Sequence, residues 1–97
     1  MGKYSTQKTP FEIERDLAVK YRVLRKQAGL SQDELARRSG VSLGSLKRFE
    51  KSGKISLKSF LKLLAILDRL DEMENLLQVE GHMEEIEKLF SDRTRKK

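Results

Sequence analysis

Between residues 42 and 53 the sequence reads Ser-Leu-Gly-Ser-Leu-Lys-Arg-Phe-Glu-Lys-Ser-Gly. If Leu46 and Phe49 face inward at an i, i+3 helical spacing, then Leu43, Gly44, Lys47, Arg48 and Lys51 turn to the opposite side, at about 100° per residue. That face is short, basic and clear of acid. Ammonium and guanidinium groups gathered this way donate to anionic oxygens and to paired acceptors, so the chemistry on offer is recognition of a polyanion, not bond-making. Ser42 and Ser45 add hydroxyls, and the free amides that begin such a helix favour an anion.

A catalytic reading lacks its parts. The chain has no cysteine, which removes disulfides, thiolate metal sites and a thiol nucleophile. Its single histidine, His82, stands beside Gly81 and reads as an exposed linker residue, and any His-based triad needs it as the base. No nucleophile–base pair, phosphate loop or metal set is present, so the expectation is a non-enzyme with no catalytic residue, cofactor or metal. The longest apolar run, Leu63-Leu64-Ala65-Ile66-Leu67, is far short of the ~20 residues of a membrane helix. The charged N-terminus also lacks a signal-peptide apolar stretch. A cytoplasmic protein with no membrane partner is expected.

The net charge of +6 is divided unevenly along the 97 residues. Residues 1–28 carry +4 and residues 29–67 carry +5, residues 68–90 reverse this to −6, and residues 91–97 return to +3. The first two thirds suit a polyanion and the acidic third does not. The acidic part reads either as a second working surface or as ordinary solvated helix faces.

The elements that must position the basic face are all helices. Residues 1–10 are polar and aperiodic and read as a flexible arm. Ile13, Leu17, Tyr21, Leu24 and Ala28 recur at spacings of three and four, one stripe of a first helix that Gly29 ends. Ser31 and Glu34 form the pattern of a capping box for a short second helix to about Ser39. Gly40 interrupts the chain, Ser42 caps a third helix and Gly53 closes it. Ser56 caps a fourth, apolar helix with Leu57, Phe60, Leu61, Leu64 and Leu67 on one stripe, the expected centre of packing. Two further helices are expected near residues 71–79 and 83–90. The boundaries that follow are a folded domain over 11–67, an acidic-apolar helical extension over 68–90 and a basic tail over 91–97. Residues 32–51 have the form of a helix-turn-helix unit. Ala36 supplies the small residue at the crossing, Gly40 the turn, and Leu35, Val41, Leu46 and Phe49 the inward anchors.

Gly29-Leu30-Ser31-Gln32-Asp33-Glu34-Leu35-Ala36, then Gly40-Val41-Ser42, then Leu46 through Phe49-Glu50, resembles the Cro/repressor-type (XRE) helix-turn-helix family. The resemblance covers roughly residues 12–67 and implies an all-α bundle of five to six helices. It also implies a bacterial or phage-derived, nucleoid-associated protein that binds double-stranded DNA sequence-specifically, usually as a homodimer, with the third helix in the major groove. Base contacts then fall to Ser42, Leu43, Gly44, Lys47 and Arg48. Lys47 or Arg48 donating to guanine O6 and N7 is worth about 1 to 3 kcal/mol of discrimination, and Leu43 touches a thymine methyl. Gln32, Ser45, Lys51 and Lys54 reach phosphates, and Glu50 pairs with Arg25 to brace the first helix against the third. Where many relatives carry polar amide readers, this chain has Leu43 and Gly44, so direct readout leans on Lys47 and Arg48 and DNA shape contributes more. Gly44 reads either as a point of close backbone approach to DNA or as simple tolerance at a helix start.

A narrower resemblance rests on Ser42 through Glu50, Ile55-Ser56-Leu57, Leu70-Asp71 and the short acidic-apolar helix that follows. These segments are similar to the HipB-like antitoxins encoded beside HipA-type kinase toxins. That likeness implies self-repression and a toxin partner, with Leu76, Leu77, Ile86 and Phe90 as dimer or partner contacts. The alternative is a protein-interaction module that keeps the fold and binds DNA only weakly.

Overall fold

The computed structural model describes residues 7–80 and 83–95, and all regular structure within them is helical. In chain order the helices are α1 (Pro10–Gln27), α2 (Gln32–Ser39), α3 (Leu43–Ser52), α4 (Leu57–Ile66), α5 (Leu70–Glu74) and α6 (Met83–Arg95). This is the all-α helix-turn-helix bundle that the residue pattern predicts.

Each of the first four helices starts on a hydroxyl that accepts an otherwise unpaired amide. Ser42 Oγ accepts from Ser45 N, and Ser56 Oγ from Ser59 N, both at 3.1 Å. Ser31 Oγ accepts from Glu34 N at 3.0 Å, but the expected reciprocal half of that box is not made: the Glu34 carboxylate pairs with Arg38 at 3.0 Å. A full capping box stands instead at the entry to α1. There Thr9 Oγ1 accepts from Glu12 N at 3.1 Å, and Thr9 N donates to Glu12 Oε1 at 2.9 Å, just before Pro10 at the first helical position. Lys8 pairs with Asp16 beside it, so the expected arm gives way to fixed structure by residue 8. Gly40 (φ 80°) and Gly53 (φ 86°) end α2 and α3 in left-handed conformation.

α3 packs against α1 and α2, α2 also against α4, and α4 against α5. Leu35, Leu46, Phe49 and Leu63 fill the centre with almost no exposure. The Phe49 ring sits edge-on to both Tyr21 (5.9 Å between centroids) and Phe60 (5.6 Å), a geometry worth about 0.5 to 1.5 kcal/mol per pair beyond burial. Tyr21 reaches across and donates its hydroxyl to the Leu63 carbonyl at 2.8 Å. Burial, reinforced by the nearby Glu50 charge, raises the phenol's pKa, so it remains the donor.

Several sequence expectations need correction. The buried line of α1 is Ala18, Tyr21 and Arg25, while Ile13 and Leu17 are exposed and Ala28 lies past the helix end. On α4 the buried residues are Leu63 and Leu64, and Leu57 at the N-terminus is 63% exposed. α5 spans five residues and stops at Glu74, and α6 continues to Arg95, past the expected boundary at residue 90. His82 lies outside the described residues.

Arg25 is the one charged residue among those described that is buried, at 6% exposure. Its Nε and Nη2 donate to Glu50 Oε2 and Oε1 at 2.8 and 3.0 Å, while Nη1 donates to the Leu30 carbonyl at 2.7 Å. Gln32 Nε2 donates to Glu50 Oε1 at 3.0 Å. Four segments therefore meet on one ion pair. Glu50→Ala leaves the guanidinium buried without its counter-charge and is expected to cost about 3 to 5 kcal/mol. In a domain stabilised by about 5 to 15 kcal/mol, this lowers the urea midpoint by at least about a fifth. Arg25→Met with Glu50→Leu should recover most of the loss, and a single-variant loss under about 1 kcal/mol contradicts the reading.

Gly53 packs its Cα against α1, where an added Cβ meets the Glu14 carbonyl carbon and oxygen at 2.8 Å; Gly40 has open space. Gly40→Ala should cost about 1 to 2 kcal/mol from its left-handed backbone alone, and Gly53→Ala about 3 kcal/mol once the clash is added. Equal losses in urea unfolding contradict the close approach of Gly53 to α1.

Candidate nucleic-acid interface

α3 presents the outer side that its sequence pattern dictates. Gly44, Ser45, Lys47, Arg48 and Lys51 are exposed and Leu43 is half-buried, while Leu46 and Phe49 face the core. Five cations elsewhere, those of Lys8, Arg25, Arg38, Lys54 and Arg69, lie within 4.0 Å of a carboxylate. Among the described residues, Lys47, Arg48 and Lys51 have no such partner. The exposed side of α3 therefore carries uncompensated positive charge on a rigid ridge.

Each flank of that ridge is a polar cleft. On one side, Lys47 and Lys51 face Arg22 and Lys26 of α1 and Ser31 and Gln32 at the start of α2, across about 490 Å³ of open space. On the other, Ser45 and Arg48 face Lys54, Ser56 and Ser59 across about 320 Å³. Both clefts end at a capped helix N-terminus, Ser31 for α2 and Ser56 for α4, whose first amides have no intrahelical partner. Cations and oriented amides thus converge from both sides of α3, an arrangement that suits two rows of anionic oxygens.

The residues expected to touch nucleic acid are distributed as follows. Ser42 and Ser45 hydrogen-bond each other, Oγ to Oγ at 2.9 Å, while both stay exposed. Gly44 has nothing within 4 Å of where a Cβ would sit, so its backbone is open to an approaching surface. Gln32 is half-buried, and its amide serves Glu50 from the floor of the first cleft. Lys51 lies in the first cleft, and Lys54 in the second, where it also reaches Glu14 at 3.9 Å. Lys47 and Arg48, grouped as neighbours by the sequence, fall on opposite flanks. Sequence reasoning missed Arg22 and Lys26 as members of the site. Their i, i+4 spacing on the outer face of α1 was the available signal, but nothing local to α1 ties that face to α3.

Leu76 and Leu77, expected at an interface, are 55% and 83% exposed just beyond α5; Phe90 is 61% exposed and Ile86 is half-buried on α6. These four lie away from the two clefts. Among the described residues no helix is long and apolar enough to cross a membrane.

No curated protein matches the chain. The sequence model of the helix-turn-helix family matches residues 22–79, from the middle of α1 through the segment after α5. That span holds α2, α3 and the turn at Gly40, together with all the residues of both clefts, and covers more than half of the chain. The chain belongs to the Cro/repressor-type helix-turn-helix family of DNA-binding regulators.

Proposed function

We propose that this protein is a sequence-specific repressor that binds an inverted repeat as a homodimer, with α3 lying in the major groove of double-stranded DNA. The observation that carries the reading is the ridge of Lys47, Arg48 and Lys51, without a carboxylate partner among the described residues, between two cationic clefts. A major groove about 12 Å wide admits one helix and has a phosphate strand on either side. In this complex Arg48 and Lys47 donate to guanine O6 and N7, Leu43 meets a thymine methyl, and Ser42 and Gly44 approach the base edges. Gln32, Ser45, Lys51 and Lys54 hold phosphates, joined by Arg22 and Lys26 from α1. The phosphate contacts fix orientation, and the base contacts carry the sequence information.

The antitoxin role implied by the likeness to HipB-like proteins fits within this reading. A repressor that also holds a HipA-type kinase needs a contact surface off the DNA face, and exposed Leu76, Leu77 and Val79 provide one.

Selection from random duplex DNA at physiological salt tests the proposal. Enrichment of an inverted repeat with half-site centres about 10 base pairs apart is expected from the unmodified chain. Arg48→Ala should weaken the selected site by about 1 to 3 kcal/mol and relax preference at one position. If the Lys47→Ala, Arg48→Ala double variant selects the same sequence, the base-reading role fails.

With three or four phosphates held per subunit, log affinity against log salt should fall with a slope of about −5 to −7. Lys26→Ala should weaken all sequences alike and flatten the slope by about 1 per subunit. An unchanged slope removes Lys26 from the phosphate set.

A further inference from the structure

We propose that the groove between α1, α4 and α5 is a binding site for a free small carboxylate with an apolar tail, whose anionic end is held by Lys20 and Arg69. The site goes beyond the function proposed above and does not depend on it.

The groove has two lobes that share Leu17 and Phe60. In the first, Tyr21, Leu24, Leu64 and Met73 join them around about 180 Å³ of open space. In the second, Phe49, Gly53, Ile55 and Leu57 join them around about 210 Å³. The two lobes together reach the lower part of the ~300 to 1,000 Å³ range of small-ligand sites, which are likewise walled by apolar and aromatic side chains with few polar groups. Between Leu24 and Glu14 they follow α1 for about 15 Å, at about 1.5 Å of rise per residue. A long, narrow, apolar space of this kind suits an extended hydrocarbon tail.

The few polar groups are placed unevenly, and they orient the ligand. Lys20, Arg69 and Glu72 stand at the first lobe. Arg69 Nη1 donates to Glu72 at 2.6 Å, while among the described residues its Nε and Nη2 make no hydrogen bond. Lys20 has no carboxylate within 4.0 Å among the described residues, and Asp16, one turn before it, is held by Lys8. Two cations against one carboxylate leave this end net positive, with donors to spare for a second carboxylate. At the second lobe the charged lining residue is Glu14, paired with Lys54 at 3.9 Å, so that end repels an anion. The head therefore lies between Lys20 and Arg69, and the tail runs past Leu17 and Phe60 toward Leu57.

The backbone holds Arg69 ready for this contact. Asp68 takes the left-handed position (φ 60°) that ends α4, and Arg69 N donates to the Leu64 carbonyl at 2.9 Å. Arg69 is thus fixed to the same turn that presents Leu64 to the groove. Lys20 and Arg69 also line the neighbouring hollow over Val19 and Val23, which puts both cations on the ridge between the two spaces. One positive spot at one end matches a single anionic head. An acidic helix or a membrane surface would need positive charge spread along the rim, and Glu14 and Glu72 interrupt it. No residue of the first lobe lines either cleft beside α3, so the head site and the DNA face are separate.

Decanoate below its micelle concentration is the probe, with acetate as the head without the tail and decyltrimethylammonium as the tail with the opposite charge. Decanoate should shift the amide NMR signals of Leu17, Leu24, Phe60 and Met73 and raise the thermal midpoint, because it contacts several elements of the folded chain at once. Neither control should do so. The Lys20→Gln, Arg69→Gln double variant should bind decanoate at least about tenfold more weakly, with unchanged circular dichroism. Leu17→Asp, at an exposed position, should abolish binding without unfolding the chain. Four results overturn the proposal: decyltrimethylammonium binding as tightly as decanoate, shifts confined to Lys47, Arg48 and Lys51, a lowered thermal midpoint, or unchanged affinity in the double variant. Co-sedimentation with phosphatidylglycerol vesicles and no response to free decanoate also overturns it, in favour of a lipid surface. None of these measurements contains DNA, so their failure leaves the DNA reading standing.

Discussion

The position of α3 depends on one buried ion pair. The Arg25 guanidinium uses three of its nitrogens on Glu50 and the Leu30 carbonyl, and Gln32 completes the coordination of the carboxylate. Taking both charges out of water consumes most of what their attraction returns, so the pair's contribution lies less in net stability than in what it forbids. Any sliding of α3 along α1, or rotation about its own axis, strands a charge in the core. Because Glu50 follows Phe49, the same constraint seats the Phe49 ring between Tyr21 and Phe60. The outer face of α3 is then fixed by exclusion: with residues 46, 49 and 50 held inside, residues 44, 47, 48 and 51 have only the outside left.

Two populations of cation result. Those that organise the fold are paired: Arg25 in the core, Arg38 along α2, Lys8 at the start of α1, Lys54 toward Glu14. Lys47, Arg48 and Lys51 on the outer face of α3 have no carboxylate partner among the described residues, and Arg22 and Lys26 stand across a cleft from Lys47 and Lys51. Like charges around shared open space repel, and the fold tolerates this because the groups are exposed and screened by solvent and salt.

Much of this was legible because caps and glycines act locally. Ser42 and Ser56 cap as the sequence implies, and Gly40 and Gly53 stop their helices in left-handed geometry, since each needs only its own neighbours to do so. Leu35, Val41, Leu46 and Phe49 were legible as core for a related reason: two short helices around a tight turn have few ways to share one apolar centre. The face of α1 was not. Ile13, Leu17, Tyr21 and Leu24 make a convincing stripe, but the bundle buries a line that includes Ala18 and Arg25, and an arginine scores as outside in any hydropathy pattern. Leu17 lines an open groove with residues of α4 and α5 and Ile13 is exposed, so this end of the stripe lies at the surface and not in the core. Leu57 fails likewise, because the first turn of α4 lies at the rim and Leu63 reaches the centre. The Thr9 capping box was present in the letters Thr-Pro-Phe-Glu, masked by the polar run before it.

The same geometry links recognition to electrostatics. In the proposed complex each phosphate that enters a cleft neutralises cations that repel one another in the free protein, and it releases counterions from the duplex as it does so. The gain grows with the number of like charges held around one cleft, which explains why cations from α1 matter to a site centred on α3. Isolated lysines on a flexible arm would supply the same charge but lose side-chain and backbone freedom on binding. Here Arg22 and Lys26 stand one helical turn apart on a helix already fixed to α3 through Arg25 on the same element. The core ion pair thereby does two things with a single contact: it orients the ridge that would enter the groove, and it sets the width of the cleft beside it.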